Sequence, residues 1–228
     1  MFGAEVIVID PEREYKYLSD TIGGAYFNIS LTSPHHINPF DLPVPREDES
    51  PSDVLRSNII NLIGLFRIML SGLTPTEDAI LDKAITETYA ARDITPEADF
   101  TQVTPPTLSD LALVLANTEG GDELAVKLKK YTEGTWAGFL NQQTNLNIQN
   151  RLVVFSVRDM EEELRPVAMY IVLHYIWNIV RSELKKRLLV VDEAWWLMKQ
   201  PDTANFLYSI AKRARKYFLG LTAITQDV

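Results

Sequence analysis

The sequence predicts an α/β protein in which a parallel sheet flanked by helices carries an inserted, all-helical subdomain. Short apolar runs alternate with helical spacing in the first 30 residues and again after residue 150, and two of these runs end abruptly in acids. Between them, residues 53–132 keep helical spacing throughout. Strands that alternate with helices indicate a parallel sheet. The predicted domain limits are therefore 1–50 and 134–228 for the two parts of the α/β core, and 51–133 for the helical insert.

The first part of the core begins with an apolar strand over residues 5–10, which Pro11 ends because proline cannot continue a hydrogen-bonded ladder. A short helix over residues 15–21 follows. Two glycines then turn the chain into a second strand at residues 25–30. Residues 31–52 are rich in proline and acids, so they are predicted to form an irregular surface connection that leads into the insert.

The insert is predicted to consist of helices. Six apolar residues between Val54 and Leu70 fall on one side of a long first helix. Three further helices are predicted over residues 76–91, 107–117 and 122–131. Thr76 is a suitable start for the first of these, because two acids follow it and acids are stabilising in the first turn of a helix.

The core resumes after a predicted loop at residues 134–150. A strand over residues 152–157 leads into a helix over residues 166–185, where proline at the first position is favourable because its missing donor costs nothing there. The strand that ends at Asp192 comes next. A helix over residues 203–216 and a last strand over residues 219–225 complete the alternating pattern.

Composition limits the classes of protein that this chain can be. With 228 residues, 46% of them hydrophobic and 23% charged, it is ordinary globular material. The lack of cysteine excludes disulfides, thiolate metal sites and a cysteine nucleophile, and three histidines leave little room for zinc. A formal net charge of −9 argues against a surface devoted to nucleic acid. The longest apolar stretch, residues 167–180, is shorter than a membrane span.

The most informative segment runs from Arg187 to Trp196. Four apolar residues precede Asp192 and Glu193, which fits a strand buried on both faces. Asp192 would then lie at the carboxyl edge of the sheet, where a carboxylate can hold hydrated Mg²⁺ on nucleotide phosphates, and Glu193 could polarise the attacking water. This pattern is typical of the Walker B strand of an ATPase. The alternative is that Asp192 caps the helix carrying the next two tryptophans, since Asp is a favoured N-cap.

A phosphate-binding loop is missing from the sequence. No glycine of the chain is followed by lysine, so there is no G-x-x-x-x-G-K-[ST] motif to neutralise the β- and γ-phosphates. Asp192 and Mg²⁺ cannot replace the backbone donors and the lysine of such a loop. We therefore expect the 228 residues to be part of a longer polypeptide, with the phosphate loop upstream of Met1 and more sheet beyond Val228.

Six short motifs give the chain a family resemblance. In chain order they are Asp10-Pro11-Glu12-Arg13-Glu14-Tyr15, Ile37-Asn38-Pro39-Phe40, Tyr131-Thr132-Glu133-Gly134 with Phe139, Val191-Asp192-Glu193-Ala194-Trp195, Ala214-Arg215-Lys216-Tyr217, and Ile224-Thr225-Gln226. With them the chain resembles the large type IV secretion and conjugation ATPases of the VirB-four (TraC-like) kind, in the HerA/FtsK branch of P-loop NTPases. The resemblance covers most of the chain and departs from the family only in the missing Walker A loop.

The resemblance implies a RecA-like motor domain that uses ATP and Mg²⁺, with a role for each matched residue. Asp192 is similar to the acid that holds Mg²⁺, and Glu193 to the general base that orients water toward the γ-phosphate. Gln226 resembles the sensor of the γ-phosphate. Arg215 resembles an arginine that reaches the nucleotide of an adjacent subunit, a task suited to its fixed charge and fork of donors. Asp10 and its neighbour Glu14 match an acidic motif to which no chemical role is assigned.

Each of these roles has a structural alternative. Arg215 lies near a helix C-terminus, where solvated cations complement the macrodipole. Gln226 could satisfy backbone groups of its loop. The tryptophans are interpreted as packing residues, and the basic run at residues 185–187 as a solvated helix end. His35 and His36 have no Cys or acid at ligand spacing, so a metal site there is not expected.

The implied function is ATP hydrolysis that energises substrate translocation or pilus assembly in a type IV secretion or conjugation machine. Implied partners are further copies of the chain in a ring, with a hexamer expected, other secretion-system ATPases and inner-membrane subunits, with DNA as a candidate substrate. The implied location is cytoplasmic, at the inner face of the cell membrane. Two alternatives stay open: a DNA-translocating ATPase of the same superfamily, and a non-hydrolysing scaffold that keeps an ATPase fold.

Overall fold

A five-stranded, all-parallel sheet forms the centre of the α/β part of the chain. The computed structural model describes residues 3–146 and 148–225. Within them the strand order is β2-β3-β1-β4-β5, and every pair is parallel. The strands are β1 (Glu5–Asp10), β2 (Ala25–Asn28), β3 (Leu152–Ser156), β4 (Arg187–Val191) and β5 (Leu219–Ala223). The predicted α/β class is confirmed.

The register of the sheet brings the ends of β1 and β4 side by side. Val8 of β1 lies opposite Val154 of β3 on one side and Val190 of β4 on the other. The pairing continues to Ile9 and Val191. Because parallel strands all point the same way, the residues that follow β1, β3 and β4 meet at one carboxyl edge.

β4 is less buried than its sequence predicts. Its residues alternate between buried and half-buried positions, with Leu188 and Val190 on the half-buried face. β3, by contrast, is buried at every position. The prediction that β4 is buried on both faces is therefore wrong for one face.

Four helices and a 3₁₀ turn accompany the sheet. They are α1 (Lys16–Ile22), α7 (Arg165–Ser182), α8 (Trp195–Met198), α9 (Pro201–Arg213) and the 3₁₀ turn Ala214–Tyr217. α7 is buried around most of its circumference, and its Tyr175 ring meets Phe155 of β3 with centroids 6.1 Å apart. This burial accounts for the long apolar stretch of the sequence. Over the described part of the chain, no helix has the length and apolar character needed to cross a membrane.

The helical part of the chain contains α2 (Pro51–Met69), α3 (Pro75–Ala90), α4 (Leu108–Ala116), α5 (Asp122–Thr132) and α6 (Ala137–Leu140). α6 lies in the region predicted to be a loop. α3 begins one residue earlier than predicted, because its cap is Thr74, whose side chain accepts from the backbone N–H of Glu77. The predicted helix over 203–216 is split into α9 and the 3₁₀ turn. The residue that follows the turn, Phe218, has a left-handed conformation (φ 53°).

The chain divides into two compact units. The α/β unit comprises residues 1–35 and 145–228, and the helical unit comprises residues 36–144. The helical unit thus extends beyond the predicted insert at both ends. The predicted domain limits stay a prediction, because compactness alone does not test which segment folds independently.

Candidate functional site

Two buried aspartates lie at the carboxyl edge of the sheet. Asp10 is the last residue of β1 and is fully buried. Its carboxylate accepts hydrogen bonds from the backbone N–H groups of Glu14 (3.0 Å) and Tyr15 (3.1 Å). Asp10 therefore closes the turn after β1. This structural role is one that the sequence motif did not reveal.

Asp192 follows β4 directly and is 5% exposed. Its backbone N–H donates to the carbonyl of Ile9 (3.0 Å), which continues the pairing of β4 with β1 by one residue. Its Oδ1 accepts from the backbone N–H of Glu193 (3.0 Å). The N-cap of α8 is Ala194, without a side-chain cap. The capping alternative for Asp192 is therefore wrong, and its carboxylate lies at the strand end.

The electrostatics of this edge are dominated by acids. Burial raises the pKa of Asp192, and the nearby carboxylates of Glu193, Asp10 and Glu12 raise it further, against the opposing hydrogen bond from the Glu193 N–H. Burial also raises the pKa of the Tyr15 phenol, with additional contributions from acids that include Asp192 and Asp10. A cation bound here would relieve both the desolvation and the repulsion of the carboxylates.

Glu193 occupies a constrained turn between β4 and α8. Its backbone has φ 46°, in the left-handed region that non-glycine residues rarely adopt. One carboxylate oxygen, Oε2, accepts a hydrogen bond from Nε1–H of Trp195 at 2.6 Å. The next residue, Ala194, donates its N–H to the carbonyl of Ile224 just after β5 (2.8 Å). These contacts hold both the backbone and the side chain of Glu193.

Two arginines that sequence reasoning did not single out also reach this edge. Arg158, after β3, donates to Glu12 at 2.6 Å. Arg165, at the start of α7, has its Nη1 3.9 Å from Glu12 and its guanidinium 5.0 Å from the ring centre of Trp196. Glu12, in the acidic motif after β1, was the sequence signal that could have indicated these arginines, because a carboxylate near other carboxylates needs cationic partners.

Arg215 lies at the opposite edge of the sheet from Asp192. It is exposed in the 3₁₀ turn that precedes β5, and the first residue of β5 pairs with Arg187, the first residue of β4. Asp192 lies five residues further along, so about 16 Å of strand separates the two levels. Within one chain, the structure therefore brings Asp192 and Glu193 together but not Arg215. Gln226, the predicted sensor, lies outside the described residues.

The described residues contain no group of three or more His, Asp or Glu side chains arranged to hold a metal. His35 is half-buried, with its ring edge-on to Phe27 at 5.1 Å. Any metal at the carboxyl edge would therefore depend on Asp192 together with ligands from elsewhere. Such partial protein coordination is typical of Mg²⁺ bound through water and phosphate.

Comparisons with known proteins identify the family and the fold of the chain. The family model of the TraG P-loop domain matches residues 1–228. The solved structure of VirB4 of Thermoanaerobacter pseudethanolicus is 32% identical in sequence and superimposes with a TM-score of 0.87. That match covers 99% of this chain and 63% of the VirB4 chain, so this chain spans less than two thirds of that relative.

A second solved structure matches far more weakly. It is the bacterial conjugative coupling protein TrwBdeltaN70, in a trigonal form in complex with sulphate, with 15% identity and a TM-score of 0.41. The match covers 97% of this chain and 62% of the TrwBdeltaN70 chain. The similarity is too low to support an inference about this chain. A comparison with curated proteins gave no match.

Proposed function

Because this chain belongs to the TraG P-loop domain family, we propose that it forms the hydrolytic edge of an ATPase that energises a type IV secretion or conjugation machine. The observation that carries the proposal is a buried acid, Asp192, at the end of a central parallel strand with a second acid, Glu193, directly after it. The carboxyl edge of a parallel α/β sheet is where nucleotides bind.

Asp192 is the proposed magnesium ligand. Its pKa is raised first by burial and then by three nearby carboxylates, so a positive charge beside it would stabilise the ionised acid. Mg²⁺ would supply that charge and neutralise nucleotide phosphates during phosphoryl transfer. Asp192 would hold the ion through water, and the phosphate-binding loop would come from outside these 228 residues.

Glu193 is the proposed general base. A carboxylate can accept a proton from the attacking water when it is within hydrogen-bond reach of that water. Its position next to the metal ligand and its fixed side chain suit that task. Gln226 stays the proposed sensor, as the resemblance implies. The backbone leading to it is tied to the same turn by the bond from Ala194 to Ile224.

Arg215 is proposed to serve the nucleotide of an adjacent subunit. Two observations support this role: Arg215 lies at the edge opposite Asp192 of its own chain, and it is exposed, so it could enter a neighbour's site. A ring of identical subunits, with a hexamer expected, would use such a contact at every interface. Attachment to inner-membrane subunits and to other secretion ATPases, on the cytoplasmic side of the membrane, completes the proposal.

The proposal is tested by measuring ATP hydrolysis by the full-length protein purified from its source cell. We expect Mg²⁺-dependent ATP hydrolysis that falls by about 100-fold or more in Glu193→Gln, while ATP binding persists, because the base is lost and the metal ligand is kept. Glu163→Gln, an exposed acid between β3 and α7, is the matched control.

Other results of these measurements would favour one of the two alternatives or exclude Glu193 as the base. If the wild-type protein binds no nucleotide, the scaffold alternative is correct. If DNA raises turnover and that effect weakens steeply with salt, the DNA-translocating alternative is correct. Wild-type turnover by Glu193→Gln removes Glu193 from the mechanism.

A further inference from the structure

We propose that Trp195 is a positioning residue that holds the Glu193 carboxylate in its working orientation through the indole N–H. The inference rests on the proposed function, because it concerns how the proposed base is aimed. It assigns a chemical task to a tryptophan that the sequence indicates only as a packing residue.

The hydrogen bond itself is the first observation. Nε1 of Trp195 is 2.6 Å from Oε2 of Glu193, a close contact between an N–H donor and a carboxylate oxygen. The indole has one donor and no acceptor, so it can bond only an acceptor such as this oxygen. The interaction spans two residues, and it fixes a side chain that has three rotatable bonds.

The backbone gives the second observation. Glu193 has φ 46°, a conformation that costs of order 1 kcal/mol or more for a residue with a Cβ and persists only where surrounding contacts enforce it. The bonds that enforce it come from both neighbours: Asp192 Oδ1 accepts the Glu193 N–H, and Ala194 donates to Ile224. With the backbone fixed in this way, the indole bond restrains the orientation of the side chain.

The indole is itself held in place. Trp195 stacks on Trp196 with ring centroids 4.4 Å apart and an interplanar angle of 26°. The ammonium of Lys199 lies 4.1 Å from the ring centre of Trp195 and 4.4 Å from that of Trp196. Such a cation is attracted to the ring face and helps to hold both rings in place. Trp196 is 8% exposed and supports the Trp195 ring through this stacking.

Placement of a general base within a few tenths of an ångström matters for the rate. A misplacement of 1 Å can cost about 100-fold in turnover. Trp195→Phe keeps an aromatic ring for the stack and for Lys199 but removes the donor. We expect kcat to fall about 10- to 100-fold, with KM and the Kd for ATP within about twofold of wild type, because the lost bond acts on the base and not on nucleotide binding.

Trp136→Phe is the matched control, and a double variant supplies the decisive readout. Trp136 lies in the helical unit, with the Lys130 ammonium 3.9 Å from its ring centre, and the control should keep kcat within about threefold of wild type. In a Glu193→Gln background, Trp195→Phe should cause no further loss under single-turnover conditions, because the side chain through which it acts has already been disabled.

Three results would overturn the inference: unchanged kcat in Trp195→Phe, equal losses in the two phenylalanine variants, or full multiplication of the losses in the double variant. If Trp195→Phe melts well below wild type, Trp195→His replaces it. The imidazole retains a ring N–H, and turnover above that of Trp195→Ala would support the donor role, whereas equal turnover would refute it. Failure of the proposed function is distinguishable, since Glu193→Gln would then turn over like wild type.

Discussion

At the scale of single residues, the two aspartates of the carboxyl edge show how similar sequence contexts lead to different roles. Both follow an apolar strand, and both are buried. The Asp10 carboxylate accepts hydrogen bonds from the backbone N–H groups of Glu14 and Tyr15 in the next turn. Asp192 takes one bond from the adjacent Glu193 and faces three further carboxylates. This difference is the reason that Asp192, and not Asp10, is the proposed Mg²⁺ ligand.

A third acid, Asp41 of the helical unit, provides a stability test. Burial raises its pKa to about 6, against a 2.5 Å hydrogen bond from the Thr144 hydroxyl. The folded state therefore binds the proton more tightly than the unfolded chain does. The cost of ionising Asp41 is absent below about pH 4, grows as pH rises, and is fully present above pH 6.

We expect Asp41→Asn to raise the free energy of unfolding by about 1 to 3 kcal/mol at pH 7.5, because the amide oxygen can still accept from Thr144 without carrying a buried charge. The gain should vanish near pH 4. Denaturant unfolding at the two pH values measures it. Asp82→Asn, an exposed acid of the same unit, should show no such pH-dependent gain, and a variant of Asp41 that is less stable at pH 7.5 would contradict the prediction.

At the scale of elements, α3 shows how a helix start is fixed. Thr74 and Glu77 form a reciprocal capping box, in which Thr74 Oγ1 accepts from the Glu77 N–H and a Glu77 oxygen accepts from the Thr74 N–H. The pKa of Glu77 is lowered to about 2, first by Lys127 and then by Thr74. The contribution of the charged box is therefore present above about pH 4.5 and lost as pH falls toward 2.

Thr74→Ala should lower the free energy of unfolding by about 1 kcal/mol at neutral pH, since it leaves an N-terminal amide without its acceptor. Thr76→Ala is the control, because this exposed residue lies inside the first turn and caps nothing. Thermal or urea unfolding compares the two. Equal effects would mean that the box does not determine where α3 begins.

At the scale of the whole molecule, charge is divided unequally between the two units. Residues 36–144 contain 8 Lys and Arg against 17 Asp and Glu, so the helical unit carries the full formal charge of −9. The α/β unit contains equal numbers of both signs. An acidic helical unit disfavours contact between that unit and nucleic acid phosphates and favours contact with protein partners.

Subunit mixing tests the proposed ring. Each variant should be inactive alone, because Arg215→Ala lacks the arginine and Glu193→Gln lacks the base. Mixed one to one, they should recover turnover at about a quarter of the interfaces, where an intact Glu193 meets an intact Arg215 of the neighbouring subunit. Mixing Arg215→Ala with a Glu193→Gln, Arg215→Ala double variant is the control and should stay inactive. Wild-type turnover by Arg215→Ala alone would mean that Arg215 is a surface residue, and recovery in neither mixture would contradict its role at a neighbour's site.

Much of the fold could be predicted because its determinants are local. The apolar runs of β1, β3 and β4 and the caps of the helices lie within a few residues of the elements they define. The predictions were wrong where contacts between residues distant in the sequence determine the local structure. The half-buried face of β4 depends on what packs against it, and the division of α9 from the 3₁₀ turn depends on a left-handed residue, Phe218, that no local rule favours.

The sequence by itself determined the parallel α/β class, the helical character of residues 53–132 and the candidate pair Asp192 and Glu193, because strand ends and apolar periodicity are written along the chain. Only the tertiary structure decided that Asp10 closes a turn, that Glu12 lies beside Asp192, and that Arg215 lies at the far edge of the sheet. Strand pairing sets the last two relations, because β1 pairs with β4, more than 100 positions away, and β4 pairs with β5. The first relation is a pair of hydrogen bonds within one turn, at Glu14 and Tyr15. Apolar periodicity specifies none of the three.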